Sequence, residues 1–378
     1  MKITAIEAIP LAVPLRPLSP PSPWTAWAGK QIIVRVRTDE GLVGVGEAFP
    51  YGAPLGVCSV IQEALAPVLQ GQDPRRIERC LDLMQRSTVN YARRGLGMFA
   101  ISGVEIALWD LLGKARQAPV HELLGGAPRL RLRAYASLMA YRSPDDVAAA
   151  CAQYVEQGFG MLKLHQVDVP SVRAAREAVG PAVELMLDTN APWTPAEALA
   201  RAREMEPYRL FWLEEPVWPP EDYDGLAAVR RASPIPIASG ENEATVFGFR
   251  DLIARGAADV LQPSVTKVGG IGEFRKVAAL AAAANLPVVP HSFYYGPGLA
   301  ASLHLAATLG GTMPIEFPTG EHEVPLLTTP IASRGGWVDV PDGPGLGVDV
   351  NEEVLRRYPY AAADGQPFLL RWRPARRR

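Results

Sequence analysis

Two rhythms of apolar residues divide the chain. Over residues 3–13 apolar and polar positions alternate, and residues 31–37 and 42–47 do the same around Asp39-Glu40-Gly41. That period of two marks half-buried strands, the last two joined as a hairpin. Helical spacing follows over residues 57–69, 74–85 and 97–116. In the third, Ile101, Val104, Ile106, Leu108, Leu111 and Leu112 make a broad apolar face. Antiparallel strands ahead of a block of helices predict an α+β unit over residues 1–126.

From about residue 130 short apolar runs alternate with Ala-rich helical stretches. The predicted strands are residues 133–138, 161–165, 185–188, 210–213, 235–238, 260–262, 288–290 and 313–316. Between them fall helices at 144–156, 171–179, 195–205, 223–231, 245–255, 272–284 and 298–308. Short, strongly apolar strands in strict alternation with helices predict an α/β fold, a (β/α)7–8 TIM barrel over residues 127–330. A doubly wound sheet would need a Gly-rich phosphate turn after its first strand, and Gly269-Gly270-Ile271-Gly272 is too short for one. Beyond Ile331 the chain turns Pro/Gly-rich, and residues 331–378 are expected to return to the N-terminal unit.

Composition narrows the function classes. Lys+Arg number 38 against 40 Asp+Glu, so the chain lacks the basic excess of a nucleic-acid binder. The basic run 371–378 reads as a solvated tail. No stretch reads as the roughly 18 apolar residues of a membrane span, and Pro10, Pro14 and Pro17 interrupt any signal-like run. Cys58, Cys80 and Cys151 are isolated, as expected of free thiols in the cytoplasm.

Three acidic clusters stand at nearly equal intervals: Asp188-Thr189-Asn190, Glu214-Glu215-Pro216 and Gly240-Glu241-Asn242. Asp188 and Glu214 are 26 positions apart, Glu214 and Glu241 are 27, about the length of one β/α repeat. Each acid therefore ends a successive strand, and the three converge. A hard cation offsets such a cluster, and oxygen-only ligands suit Mg²⁺. Strand two ends Lys163-Leu164-His165, whose period of two aims both side chains at one face. Strand six ends at Ser264, strand seven at His291 and strand eight at Glu316.

With these residues in place the chain resembles the enolase superfamily, in its mandelate racemase/muconate lactonizing branch, over nearly its whole length. Residues 100–114 (AISGVEIALWDLLGK), continued by Pro119-Val120 and Leu123-Leu124-Gly125, look like that family's capping-domain signature. The resemblance implies an N-terminal α+β cap, a modified barrel and a C-terminal segment packed on the cap. It implies Mg²⁺ on Asp188, Glu214 and Glu241, with the substrate carboxylate bound to the metal. A proton α to that carboxylate then leaves to give an enediolate. By the same resemblance Lys163 neutralises the carboxylate, His165 is the base and His291 is the acid on the opposite face. Glu316 reads either as a hydrogen-bond donor to substrate or as one member of a barrel-mouth ion pair.

Two positions depart from the family pattern. His165 stands where a second lysine is usual, and Ser264 replaces the aspartate that pairs with the strand-seven histidine. Without that carboxylate His291 should be a weaker base, although Ser264 can still accept or donate a hydrogen bond. Asn190, Glu215 and Asn242 read as partners of the ligands. Lys267 reads either as a cation beside the acids or as a solvated helix-entry lysine. Trp24, Trp27, Phe49 and Tyr51 fall in cap loops, where they either close over substrate or pack internally; Tyr294 and Tyr295 fit the pocket wall.

The expected reaction is dehydration of an acid sugar, with racemisation or epimerisation and lactone cycloisomerisation as alternatives. Dipeptide epimerases carry a lysine where Ser264 stands, which disfavours that subclass. A metal-holding barrel without catalysis is the rival of another class. The expected partner is a small carboxylate, with neither nucleic acid nor membrane, and the resemblance implies a homo-oligomer.

Overall fold

In the computed structural model, which describes residues 1–16, 18–126 and 129–362, a three-stranded antiparallel sheet opens the chain. Its strands are β1 (Ile3–Ala12), β2 (Lys30–Thr38) and β3 (Val43–Ala48), in that order. Strand β2 is covered on both faces, and its side chains divide accordingly. Ile32, Val34 and Val36 join the core beneath the helix Leu96–Arg116. Ile33 points the other way, into a cluster with Leu11, Val45, Leu326, Val350 and Val354. Residues from beyond the barrel thus pack on the outer face of the cap sheet. Asp110 ties the three parts, accepting from the amides of Val45 and Leu346 and pairing with Lys114 at 2.7 Å. The basic run 371–378, with the rest of 363–378, lies outside the described residues.

The expectation that no stretch is long and apolar enough for a membrane span needs correction. Leu96–Arg116 meets both measures, but 83% of its apolar window is buried inside the protein. It is the core helix of the cap, mostly apolar because it is packed on most sides, with Glu105 and Asp110 as buried exceptions.

The barrel strands are β4 (Arg131–Ser137), β5 (Met161–Leu164), β6 (Glu184–Asp188), β7 (Leu210–Glu214), β8 (Ile237–Ser239), β9 (Val260–Leu261) and β10 (Ile315–Pro318). They pair in parallel in sequence order, and β10 returns to β4. A seventh strand expected at 288–290 does not form as a regular element. Only single bridges occur there, Leu261 with Val288 and Ser264 with His291. The physical reason is in the chain: Pro287 and Pro290 have no amide hydrogens to give a ladder.

Period-two alternation sorts the barrel interior into layers. Tyr135, Met161, Met186, Trp212, Ala238, Val260 and Val289, one from each successive position, fill it as an apolar plug. Two residues further along come Ser137, Lys163, Asp188, Glu214, Gln262 and His291. The polar layer sits directly on the apolar one.

Two carboxylates of the cap reach into the barrel. Glu105 accepts from the amides of Ile271 and Gly272 at 2.7 and 2.8 Å, at the start of the helix Ile271–Ala283. Glu47, at the end of β3, accepts from the Gly298 amide at 2.8 Å in the first turn of Pro297–Thr308. Each supplies an acceptor to helix amides that have no partner in their own helix. Burial pushes both carboxyls up to about 7, against the pull of those amides. Arg94 adds an outer tie, 2.6 Å from Glu221 and 2.5 Å from Glu243.

Candidate functional site

Asp188 and Glu214 are the last residues of β6 and β7 and face each other in register. Glu241 lies two residues past β8 rather than at its end. The chain reaches it through Gly240 at φ +128°, where a Cβ would stand 2.7 Å from the Phe249 ring. Only glycine fits that turn. The three carboxylates are buried, and one oxygen of each lies within 4.8 Å of the others.

Backbone strain collects beside these acids. Asn190 (φ 53°), Ala191 (φ 51°) and Glu215 (φ 44°) hold left-handed conformations without being glycine. Such residues cost on the order of 1–3 kcal/mol each and persist where surrounding bonds over-determine them. Those bonds are present. The Thr189 hydroxyl donates to the Glu214 and Glu215 carbonyls, and the Ala191 amide donates to the Glu215 carbonyl at 2.7 Å.

Lys163 stands among the acids, its Nζ 3.0 Å from Glu214, 3.3 Å from Asp188 and 2.8 Å from Glu316. Burial alone would lower its pKa, but the surrounding carboxylates hold it well above the ordinary lysine value. Burial likewise works against ionised Asp188, where Lys163 and His165 outweigh it and leave the carboxyl far below its usual range. Glu214 goes the other way, pushed well up by burial and by the charge of Asp188. Five buried carboxylates (Asp188, Glu214, Glu215, Glu241, Glu316) face two buried lysines, Lys163 and Lys267. A divalent cation fits that surplus, and the all-carboxylate donor set suits a hard ion such as Mg²⁺.

Two imidazoles flank the triad. His165 Nε2 is 3.3 Å from Asp188 on one side, and His291 Nε2 is 3.2 Å from Glu241 on the other. His165 Nδ1 lies 2.5 Å from the carbonyl oxygen of Leu138, which can only accept. A proton therefore sits on Nδ1, and Nε2 is the nitrogen that faces the triad. The Trp24 ring stands edge-on to His165 at 4.9 Å, with Phe293 at 6.4 Å.

Several expected residues take different places from those the sequence suggested. Glu316 accepts from Ser137 at 2.7 Å and from the Ser292 amide at 2.7 Å besides pairing with Lys163. Burial opposes its charge, but Lys163 and His291 hold its carboxyl well below the usual range. It pairs with Lys163, as the ion-pair alternative for this residue expects. Ser264 does not bond to His291 but contacts the Tyr294 hydroxyl, and that hydroxyl lies 3.1 Å from His291 Nδ1. Lys267 is buried, 3.2 Å from Glu241 and 3.3 Å from Asn242, with its Nζ 4.2 Å above the Phe49 ring. The solvated alternative is thereby excluded. Tyr51 packs on Phe49 at 4.6 Å, and the side chain of Trp27 lies outside the described residues.

The remaining ligand partners form a connected set. Asn190 donates its amide to Asp188 at 2.9 Å, and Asn242 Nδ2 donates to Glu215 at 2.8 Å. Sequence reasoning missed Ser137, Phe293, Glu47 and the Leu138 carbonyl. Ser137 had a signal, two residues past Tyr135 on β4, whereas the carbonyl had none.

The first part of the chain, residues 8–125, matches the family model "Mandelate racemase / muconate lactonizing enzyme, N-terminal domain". Residues 146–354 match "Enolase C-terminal domain-like". D-galactarolactone cycloisomerase of Agrobacterium fabrum is 34% identical over 347 residues, covering 86% of this chain and 90% of that protein. Arabinonate dehydratase of Saccharolobus solfataricus is 32% identical over 339 residues, covering 86% and 90%. Among solved structures, a mandelate racemase/muconate lactonizing protein from Paracoccus denitrificans complexed with magnesium superposes with a TM-score of 0.86 at 31% identity, over 94% of this chain and 98% of that one.

Proposed function

Because the chain belongs to the mandelate racemase/muconate lactonizing enzyme family of the enolase superfamily, we propose that it is an Mg²⁺-dependent dehydratase of acid sugars. The observation that carries this reading is the pair of imidazoles on opposite sides of the carboxylate triad. Asp188, Glu214 and Glu241 would hold the cation, with Asn190, Glu215 and Asn242 bonded behind them. When bound, Mg²⁺ supplies Lewis-acid stabilisation to the charge that develops on the substrate carboxylate.

The chain's own residues do the rest. Lys163, fixed by Glu316, neutralises the carboxylate end of the substrate. His165 takes the α-proton at Nε2, the C–H pair becoming part of the enediolate. Collapse of the enediolate breaks the bond to the β-hydroxyl, and protonated His291 gives its Nε2 proton to that oxygen so that water leaves. The enol product then ketonises to a 2-keto-3-deoxy acid. Trp24 shields His165 from solvent, and Tyr51 with Phe49 walls the cap side beside Lys267.

Screening aldonic and aldaric acids with Mg²⁺, with product read as its semicarbazone, tests this directly. Formation of a 2-keto-3-deoxy acid supports it. Deuterium exchange with inversion and no loss of water would replace it with a racemase or epimerase. The similarity to a cycloisomerase favours one second reading, in which an acid-sugar lactone is isomerised without net loss of water. No turnover of any acid with Mg²⁺ bound would leave the non-catalytic barrel.

The proposal extends to a cytoplasmic location, which the three buried free thiols support, and to assembly of several copies, read by light scattering.

A further inference from the structure

Ser264 and His291 are bridge partners on adjacent barrel positions, with the His291 amide donating to the Pro263 carbonyl at 3.2 Å. A carboxylate on strand six would meet His291 Nδ1 from there, but a serine side chain is shorter. The Tyr294 hydroxyl fills the gap, 3.1 Å from Nδ1 on one side and in contact with Ser264 Oγ on the other. The phenol is held in place by its surroundings. The Tyr294 amide donates back to the Ser292 carbonyl at 2.7 Å, turning the ring toward His291. Gly298 lies beneath it, where a Cβ would stand 3.2 Å from Tyr294 Cγ. Tyr294 is 2% exposed and Ser264 fully buried, so water does not compete for these bonds.

We propose that Tyr294, backed by Ser264, is the positioning residue of His291 and replaces a carboxylate with a neutral hydrogen-bond chain. The direction of the chain follows from valence. An imidazolium donates from both nitrogens, so Nδ1–H donates to the Tyr294 oxygen and the phenol proton turns to Ser264 Oγ. Nε2–H is thereby aimed past Glu241 at the substrate. A phenol orients the ring through one hydrogen bond and brings no negative charge to it. The acid role of His291 rests on the dehydratase reading, whereas the positioning stands on the contacts alone.

The test combines ¹⁵N NMR of the histidine rings at one neutral pH with kinetics in deuterated solvent. His291 signals are assigned with the His291→Ala variant. In the wild type they should show Nδ1 protonated and hydrogen-bonded, and Tyr294→Phe should remove that bond and shift the Nδ1 signal. Turnover should fall about 10- to 100-fold in kcat with KM changed less than about 3-fold, and α-proton exchange through His165 should persist. Ser264→Ala, which keeps the phenol, should move both readouts the same way by less and serves if the first variant fails to fold. An unprotonated Nδ1 in the wild type, or ring signals unmoved in both variants, overturns the proposal. Because the NMR readout needs no substrate, failure to find a dehydrated product would sink the functional reading without touching this one.

Discussion

Nδ1 of His165 lies 2.5 Å from the carbonyl oxygen of Leu138, and this contact decides which ring nitrogen faces the triad. If His165 is the base, His165→Ala should abolish exchange of the substrate α-proton with deuterated solvent, by about 100-fold or more. His291→Ala should lose product while keeping exchange. Proton NMR of recovered substrate separates the two, and retained exchange in His165→Ala would reverse the assignment.

Lys163 is the cation through which Asp188, Glu214 and Glu316 coexist. Lys163→Ala leaves those buried charges uncompensated, a defect of about 3–5 kcal/mol for broken buried pairs. Thermal melts should show a drop without added metal and a larger upward shift on adding Mg²⁺ than the wild type shows. Equal Mg²⁺ shifts in both proteins would argue against a shared charge site.

Glu214→Gln should weaken Mg²⁺ binding, measured by titration calorimetry, and should remove activity that excess Mg²⁺ does not restore. Chelation should silence the wild type reversibly. An active protein after exhaustive chelation would remove the metal from the scheme.

Glu47 offers a pH test on stability. Its folded-state pKa of about 7 stands above the ordinary 4.5, so the folded state binds the proton more tightly than the unfolded chain. The stability it contributes is full below about pH 4.5 and is lost as pH rises through 7. The span corresponds to about 3 kcal/mol. Denaturant melts of wild type and Glu47→Gln should therefore diverge: relative to the variant, the wild type should lose stability between pH 4.5 and 7.5. A difference independent of pH would show that the carboxyl titrates normally.

Much of the fold was legible because repeats repeat. The helices 144–156 and 195–205 were placed to the residue, since Ser143 and Thr194 cap them and a proline opens each. The triad was readable from spacing alone. Strand seven was not, because apolar residues between two prolines look like a strand until their missing amides are counted. The span Val60–Leu65, read as ordinary helix, is wound as a π-helix, which periodicity does not distinguish. Glu316 was left open between two roles because its partners Ser137 and Lys163 come from other strands. Tyr294 looked like wall because its role depends on Ser264, 30 positions away.

The reach of Glu47 and Glu105 into the first turns of two barrel helices has a practical consequence for protein engineering. A cap stitched to its base at two such points is held there by buried carboxylate–amide bonds. Anyone grafting this lid onto another base, or trading lids to change selectivity, would need to carry Gly298, Ile271 and Gly272 across with it, or the graft would strand two acids without acceptable company.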